Sequence, residues 1–417
     1  MSPEPGPLLA RTRRLDQRVE LLEVAGEEGR LWTRGRAGFA ARGVALRVPV
    51  PRRDPAVAAD AVQRALDSIA VDDEVGLPGC GPVALGSLPF APEADASLVV
   101  PELLVGRADD GTSWVTTIGP ADGDRTDTAG LRAPDRPGDP DRPEPSSFVV
   151  APELDPADWC AAVAAARDEL RAGVARKVVL ARAVTVRADR PISRRAVLGR
   201  LLAAFPSCMV YATDDLVGAS PELLVARTGD RVRSHPMAGT APRSSDPSTD
   251  ARLAADLLAS AKDREEHRLT IDMVHDTLLP WCSYLDEEAE PSIVAMANVQ
   301  HLATRVEGRL SAPPASVIEL VLALHPTPAV CGSPTDRALA IIRRLERLDR
   351  GGFAGPVGWV DAGGNGEWAV GIRCAELSGA NARLFAGVGV VADSDPATEL
   401  AETQAKLQAL LTAIVRP

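Results

Sequence analysis

The chain has 417 residues, 45% hydrophobic and 25% charged, enough apolar mass for one large domain or two or three ordinary ones and too much for a disordered polypeptide. Its net charge of −12 lacks the basic footprint that nucleic acid demands and does not favour an anionic membrane surface. No apolar run approaches membrane-spanning length and the N-terminus, MSPEPGPLLARTRRLDQ, lacks a signal-peptide core. The six cysteines (Cys80, Cys160, Cys208, Cys282, Cys331, Cys374) stand apart without a CxxC pair, so reduced thiols in a cytoplasmic protein are expected.

In chain order, residues 1 to about 20 are expected to fray. VELLEVA, RLWTRG and GVALRVPV read as strands, followed by an amphipathic helix over 55–69 and strands over 83–89, 97–104 and 113–118. The stretch 119–147 is dense in Pro, Asp, Arg and Gly with almost no apolar residue, and reads as a flexible surface loop. It separates an N-terminal part, 1–118, from a motif-bearing part, 148–417. Beyond it, Asp155 caps a helix over 156–172 with Pro156 at its first position, and KVVLARAVTVR is a strand. A helix over 194–204 precedes two hairpins, 208–219 around Asp214-Asp215 and 223–235; a long helix then runs over 248–281. Extended segments over 293–303 and 304–310, helices over 315–324 and 335–347, and a three-strand meander (357–361, 368–377, 382–391) lead into a final helix. Strands and helices come in blocks, which argues α+β with large antiparallel sheets.

Several residues admit two readings. Lys177, heading an apolar strand behind Arg176, is either a snorkelling side chain or a general base. Glu222, in the Ser-Pro-Glu turn, either caps that turn or is kept protonated in an apolar pocket as a general acid. The small-residue turn PMAGT, with Gly239 and Thr240, is an ordinary loop or a close approach of backbone to a ligand. The run from Lys262 to His267, which includes Glu266, reads by itself as a charged helix face. In the last helix, capped by Ser394 or Asp395 with Pro396 in its first turn, Leu400, Leu407, Leu411 and Ile414 form an apolar stripe. Glu399, Glu402 and Lys406 share a face beside it: either solvated i,i+4 pairing or a site for a hard cation next to an anion.

KVVLAR, GASPELLVAR, PMAGTAPR, ASAKDREEH, HLATRVEG, LHPTPAVCGSP, FAGPVGWVDAGGNGEWAVGIRCAEL and FAGVGVVADSDPATELAETQAKL follow one another in an order that resembles the chorismate-utilising enzymes over about residues 150–413. PMAGT and HPTPAVCG point to the isochorismate synthase branch. The resemblance implies a two-lobed α+β fold with large antiparallel sheets surrounded by helices, and Mg2+-dependent, reversible conversion of chorismate to isochorismate for menaquinone or siderophore synthesis. It implies Lys177 as the base that activates water and Glu222 as the acid that protonates the departing hydroxyl. It implies Glu266 and Glu402 as magnesium ligands with Glu399 in support, and Gly239, Thr240, Arg373, Gly387 and Lys406 as holders of the substrate carboxylates, with His301 in the pocket. A monomer needing no amidotransferase subunit is expected. Salicylate synthase and the ammonia-using anthranilate and aminodeoxychorismate synthases are the alternatives on the same scaffold, and a silent chorismate-binding protein is the alternative outside enzymes. The sequence departs from the pattern at Val330, where some relatives carry Leu, and in the 119–147 loop.

Overall fold

The computed structural model describes residues 6–17, 19–121, 144–214, 216–296 and 299–415. Period-two patterning decides how its sheets are covered. Along the Arg30–Arg34 strand, Leu31 and Trp32 are both buried yet belong to different cores, because successive side chains leave opposite faces of a strand. The Trp32 face looks into a core shared by two large sheets, where Phe39 of one meets Trp359 of the other edge-on with ring centroids 4.9 Å apart. The Leu31 face is covered by the Leu21–Ala25, Arg194–Ala204 and Pro396–Val415 helices. One sheet has thirteen strands, the second nine and a third three. Among the described residues the pairings are antiparallel, except that Leu8–Leu15 runs parallel to Ala70–Asp73. The architecture is α+β, with large antiparallel sheets and helices about them. N-terminal strands continue both large sheets: Arg30–Arg34 pairs with Met209–Ala212, and Val83–Ser87 with Pro356–Asp361.

Two segments that cross from one large sheet to the other position the chemistry. The chain leaves the thirteen-stranded sheet at Leu216–Ser220 and enters the nine-stranded sheet at Leu223–Thr228, so Pro221 and Glu222 form the link. It returns between Gly366–Val370 and Cys374–Ser378, with Arg373 in the link. The links lie side by side: the Val370 N–H donates to the Glu222 carbonyl at 3.1 Å, and the Ala219 N–H to the Arg373 carbonyl at 3.1 Å.

Several elements depart from the sequence expectation. Leu8–Leu15 is not frayed but lies between Ser113–Pro120 and Ala70–Asp73, which satisfy its backbone on both edges. VELLEVA holds the short Leu21–Ala25 helix, with Leu21, Val24 and Ala25 buried on one face and Gly26 closing it at φ 60°; so short an apolar pattern does not separate the two periods. The helix expected over 248–281 breaks at Ser260, whose extended backbone ends Pro247–Ala259 and whose hydroxyl accepts the Asp263 N–H at 3.2 Å to start Ala261–Leu278. The expected meander is four strands in two sheets. Likewise, the segment 97–104 divides at Pro101 into Ser97–Val100 and Leu103–Arg107, again in different sheets. Segment 293–303 divides into Ser292–Ala295 and Val299–Ala303. PMAGTAP is a strand, Met237–Pro242, with a bulge at Gly239, and not a turn. Strands Ala37–Arg42, Ala70–Asp73, Phe148–Pro152 and Cys282–Glu287 were not foreseen. Of the 119–147 segment, residues 122–143 lie outside the described residues, as does Asp215 of the 208–219 hairpin. All six cysteines are free thiols. Among the described residues no helix is long and apolar enough to cross a membrane.

Candidate active site

A cavity of about 160 Å³ is bounded by the two crossing links, the three-stranded sheet and the Ala261–Leu278 and Pro396–Val415 helices. All eleven residues singled out from the sequence line it. Lys177 heads the Lys177–Ala188 strand, where it pairs with Ser333, and its side chain is fully buried. Its ammonium meets Glu266, from the Ala261–Leu278 helix, at Nζ–Oε1 2.7 Å. Burial pushes the Glu266 carboxyl upward, but the Lys177 charge and hydrogen bond, helped by Lys406 and Lys262, hold it below the usual carboxylate range. The room for this pair comes from Gly389: a Cβ there would lie 2.7 Å from Lys177 Cε and 3.1 Å from Glu266 Oε1. The small-residue strand AGVGVV is visible in the sequence, but the need for glycine at 389 is not.

Sequence reasoning also missed Arg350 and Glu346. Arg350 lines the cavity and is buried against Glu346, with Nη2–Oε2 2.5 Å and Nε–Oε1 2.6 Å. Its remaining donors reach the carbonyls of Val179 at 2.8 Å and Val330 at 2.9 Å, while Glu346 accepts the Ala181 N–H at 2.8 Å. The pair ties the strand that carries Lys177 to the adjoining segment at Val330 and Cys331, where the Cys331 carbonyl accepts the Val179 N–H at 2.8 Å. In the sequence, Glu346 falls at the end of the helix expected over 335–347 and Arg350 beyond it, and neither position carries a motif that marks burial.

Glu222 is buried, and its carboxyl is pushed up to about 8 by that burial, against the opposing pulls of the Met237 N–H, Lys177 and Arg373. At neutral pH it is therefore chiefly a neutral acid. Arg373 takes φ 51°, a left-handed conformation that costs a non-glycine residue about 1 kcal/mol or more and that its surroundings must enforce. Its Nη2 lies 2.6 Å from His301 Nε2, and its Nη1 is buried without a partner among the described residues. His301 Nδ1 is 3.1 Å from the Gly239 carbonyl and 3.1 Å from Thr240 Oγ1.

The last helix supplies the remaining wall. Asp395 is its cap, accepting the Thr398 N–H at 2.9 Å, while the Ser394 hydroxyl accepts the Val391 N–H at 3.0 Å. Leu407 and Ile414 are buried as the stripe requires, with Leu400 and Leu411 partly so. Lys406 pairs with Glu402 at 2.8 Å and donates to the carbonyl of Gly387, which itself lines the cavity, at 3.0 Å. Burial and the neighbouring Glu402 charge raise the Glu399 carboxyl, opposed by a hydrogen bond from Ser394.

This donor set fits a hard divalent cation. Glu266, Glu399 and Glu402 present carboxylate oxygens to one cavity, and the repulsion between Glu399 and Glu402 is of the kind a cation relieves. Among the described residues no three His, Cys, Asp or Glu side chains are gathered into a ready-made cage. Magnesium does not need one, since it is commonly held by one or two carboxylates plus waters and substrate oxygens.

The cavity thus gathers a buried carboxyl, a buried lysine, the further carboxylates of Glu266, Glu399 and Glu402 and the cations Arg373 and Lys406. Residues 28–415 match the family described as chorismate binding enzymes, and the chain belongs to that family. It is 44% identical over 351 residues, 81% of this chain and 87% of the other, to a Mycobacterium tuberculosis protein named as a candidate isochorismate synthase MenF. It is 38% identical over 344 residues, 80% of this chain and 81% of the other, to isochorismate synthase DhbC of Bacillus subtilis. Its fold matches that of MenF, the menaquinone-specific isochorismate synthase of Escherichia coli, with a TM-score of 0.82 over 99% of this chain and 96% of that one, at 23% identity.

Proposed function

We propose that the chain is an isochorismate synthase, converting chorismate reversibly to isochorismate by attack of water at C2 and loss of the C4 hydroxyl. One observation carries the reading: a buried carboxyl held protonated at neutral pH shares its cavity with a buried lysine. The exchange needs both groups. Lys177, in its free-amine form and not as the ammonium, takes a proton from the attacking water, the new C–O bond forms at C2, the ring double bonds shift, and the C4–O bond breaks as Glu222 delivers its proton to the leaving oxygen. One water enters and one leaves, so the atoms balance. The names of the relatives support this reaction.

Chorismate is a dicarboxylate, and a chain of net charge −12 must hold it with local cations. Arg373 and Lys406 supply them, with Thr240 beside them in the cavity. Glu266 and Glu402 would hold magnesium and Glu399 would support it; bound there, the ion supplies Lewis-acid withdrawal of charge from the ring carboxylate. We place the protein in the cytoplasm as a monomer without an amidotransferase subunit, supplying isochorismate to menaquinone or siderophore synthesis.

The test is chromatography of chorismate incubated with the protein and magnesium, with and without ammonium. Isochorismate as the main product is expected. Salicylate with pyruvate would move the chain to the salicylate branch. Anthranilate or aminodeoxychorismate formed only with ammonium would refute water as the nucleophile.

A further inference from the structure

We propose that His301 is a positioning residue: as a neutral imidazole it holds the Arg373 guanidinium ready for a substrate carboxylate, and does not itself touch the substrate. The inference rests on the reading of Arg373 as the carboxylate partner, and so on the proposed function.

Hydrogen inventory fixes the state of the ring. The Gly239 carbonyl can only accept, so Nδ1, 3.1 Å away, carries a hydrogen. A guanidinium can only donate, so Nε2, 2.6 Å from Arg373 Nη2, presents its lone pair. Both ring nitrogens are thus spent within the protein and none is left to read a ligand. A protonated ring would set N–H against N–H. Burial, together with the Arg373 and Lys406 charges, keeps the ring well below the ordinary histidine range, which agrees with the neutral form.

The local backbone is built for this contact. Ala238 pairs with Leu302 and Thr240 with His301, which leaves Gly239 as the extra residue of a bulge at φ 74°. Its carbonyl lies outside the ladder and accepts the ring N–H. Arg373 makes no ion pair among the described residues. A carboxylate in the place of His301 would hold the guanidinium more firmly but would cancel its charge. A neutral imidazole fixes Nη2 and leaves the whole positive charge, and the partnerless Nη1, for the ligand.

A double-mutant cycle on chorismate binding tests this, read by calorimetry in the Glu222→Gln background so that turnover does not interfere. His301→Phe should weaken binding about tenfold, while His301→Gln, which keeps an acceptor for Arg373, should stay within about threefold of the parent. In the Arg373→Ala background His301→Phe should add less than about twofold, because the two act as one unit. An equal loss in both backgrounds would overturn the inference and make His301 an independent contact. So would a His301→Gln loss as large as that of His301→Phe. Should His301→Phe not fold, His301→Leu takes its place in the same cycle. If the parent fails to bind chorismate, the functional reading falls and this inference with it; if it binds and the cycle is additive, only this inference falls.

Discussion

Replacing Glu222 by Gln tests the acid at the centre of the reaction. The amide keeps the shape of the neutral carboxyl but cannot deliver a proton. The wild-type carboxyl is held at about 8 by burial, so at pH 7 about nine in ten molecules carry the proton and at pH 9 about one in ten. If Glu222 donates the proton as proposed, the protonated form is the competent one, and wild-type kcat/KM should fall through pH 8, by about tenfold between pH 7 and pH 9, on an alkaline limb that reports the free enzyme. Glu222→Gln should lower the rate by about 10²–10⁴ and abolish that limb. The same shift has a stability consequence of definite sign. A carboxyl raised from 4.5 to about 8 favours the native state in its protonated form; that contribution is complete below pH 4.5 and is lost as pH rises through 8. The gap corresponds to about 5 kcal/mol as an upper figure. Glu222→Gln should therefore melt higher than wild type at pH 9 and gain nothing at pH 4. A variant that keeps near-wild-type turnover, or whose residual activity keeps the alkaline limb near pH 8, would refute Glu222 as the proton donor.

Two other substitutions probe the neighbouring walls. Glu266→Gln and Glu402→Gln should each raise the magnesium concentration needed for half-maximal rate by tenfold or more; Glu402→Gln should change the melting temperature little, whereas Glu266→Gln should lower it by leaving the buried Lys177 without its counter-charge, and unchanged magnesium titrations would remove these residues from the metal site. Gly389→Ala should lower kcat more than it lowers stability, because the added methyl meets Lys177 Cε at 2.7 Å and forces the ammonium off Glu266; kcat within about twofold of wild type would show that the pair tolerates displacement.

The residue types of the site were legible because each sits in a short segment whose order resembles one family, and the cavity gathers all eleven of them. What was not legible is who pairs with whom. GEWAVGIRCAEL keeps an apolar pattern while the chain changes sheets inside it, so one strand was expected where two occur, and the strained Arg373 lies at the change. Helical spacing likewise runs on through Ser260, and only the hydroxyl bond to the Asp263 N–H marks a second helix start. That new start opens the Ala261–Leu278 helix, which brings Glu266 within 2.7 Å of Lys177, so a local cap sets the distance of a buried ion pair. RLERLDR spells an i,i+4 pair of opposite charges, yet Glu346 and Arg350 are buried: Arg350 donates to the carbonyls of Val179 and Val330 on neighbouring segments, and Glu346 accepts the Ala181 N–H. A sequence records that a charge is present. Whether the charge is solvated, paired or left open for a ligand depends on segments far apart in the chain. At Arg373 the neighbour is a neutral ring and not a carboxylate, and that choice leaves its charge free for an anion.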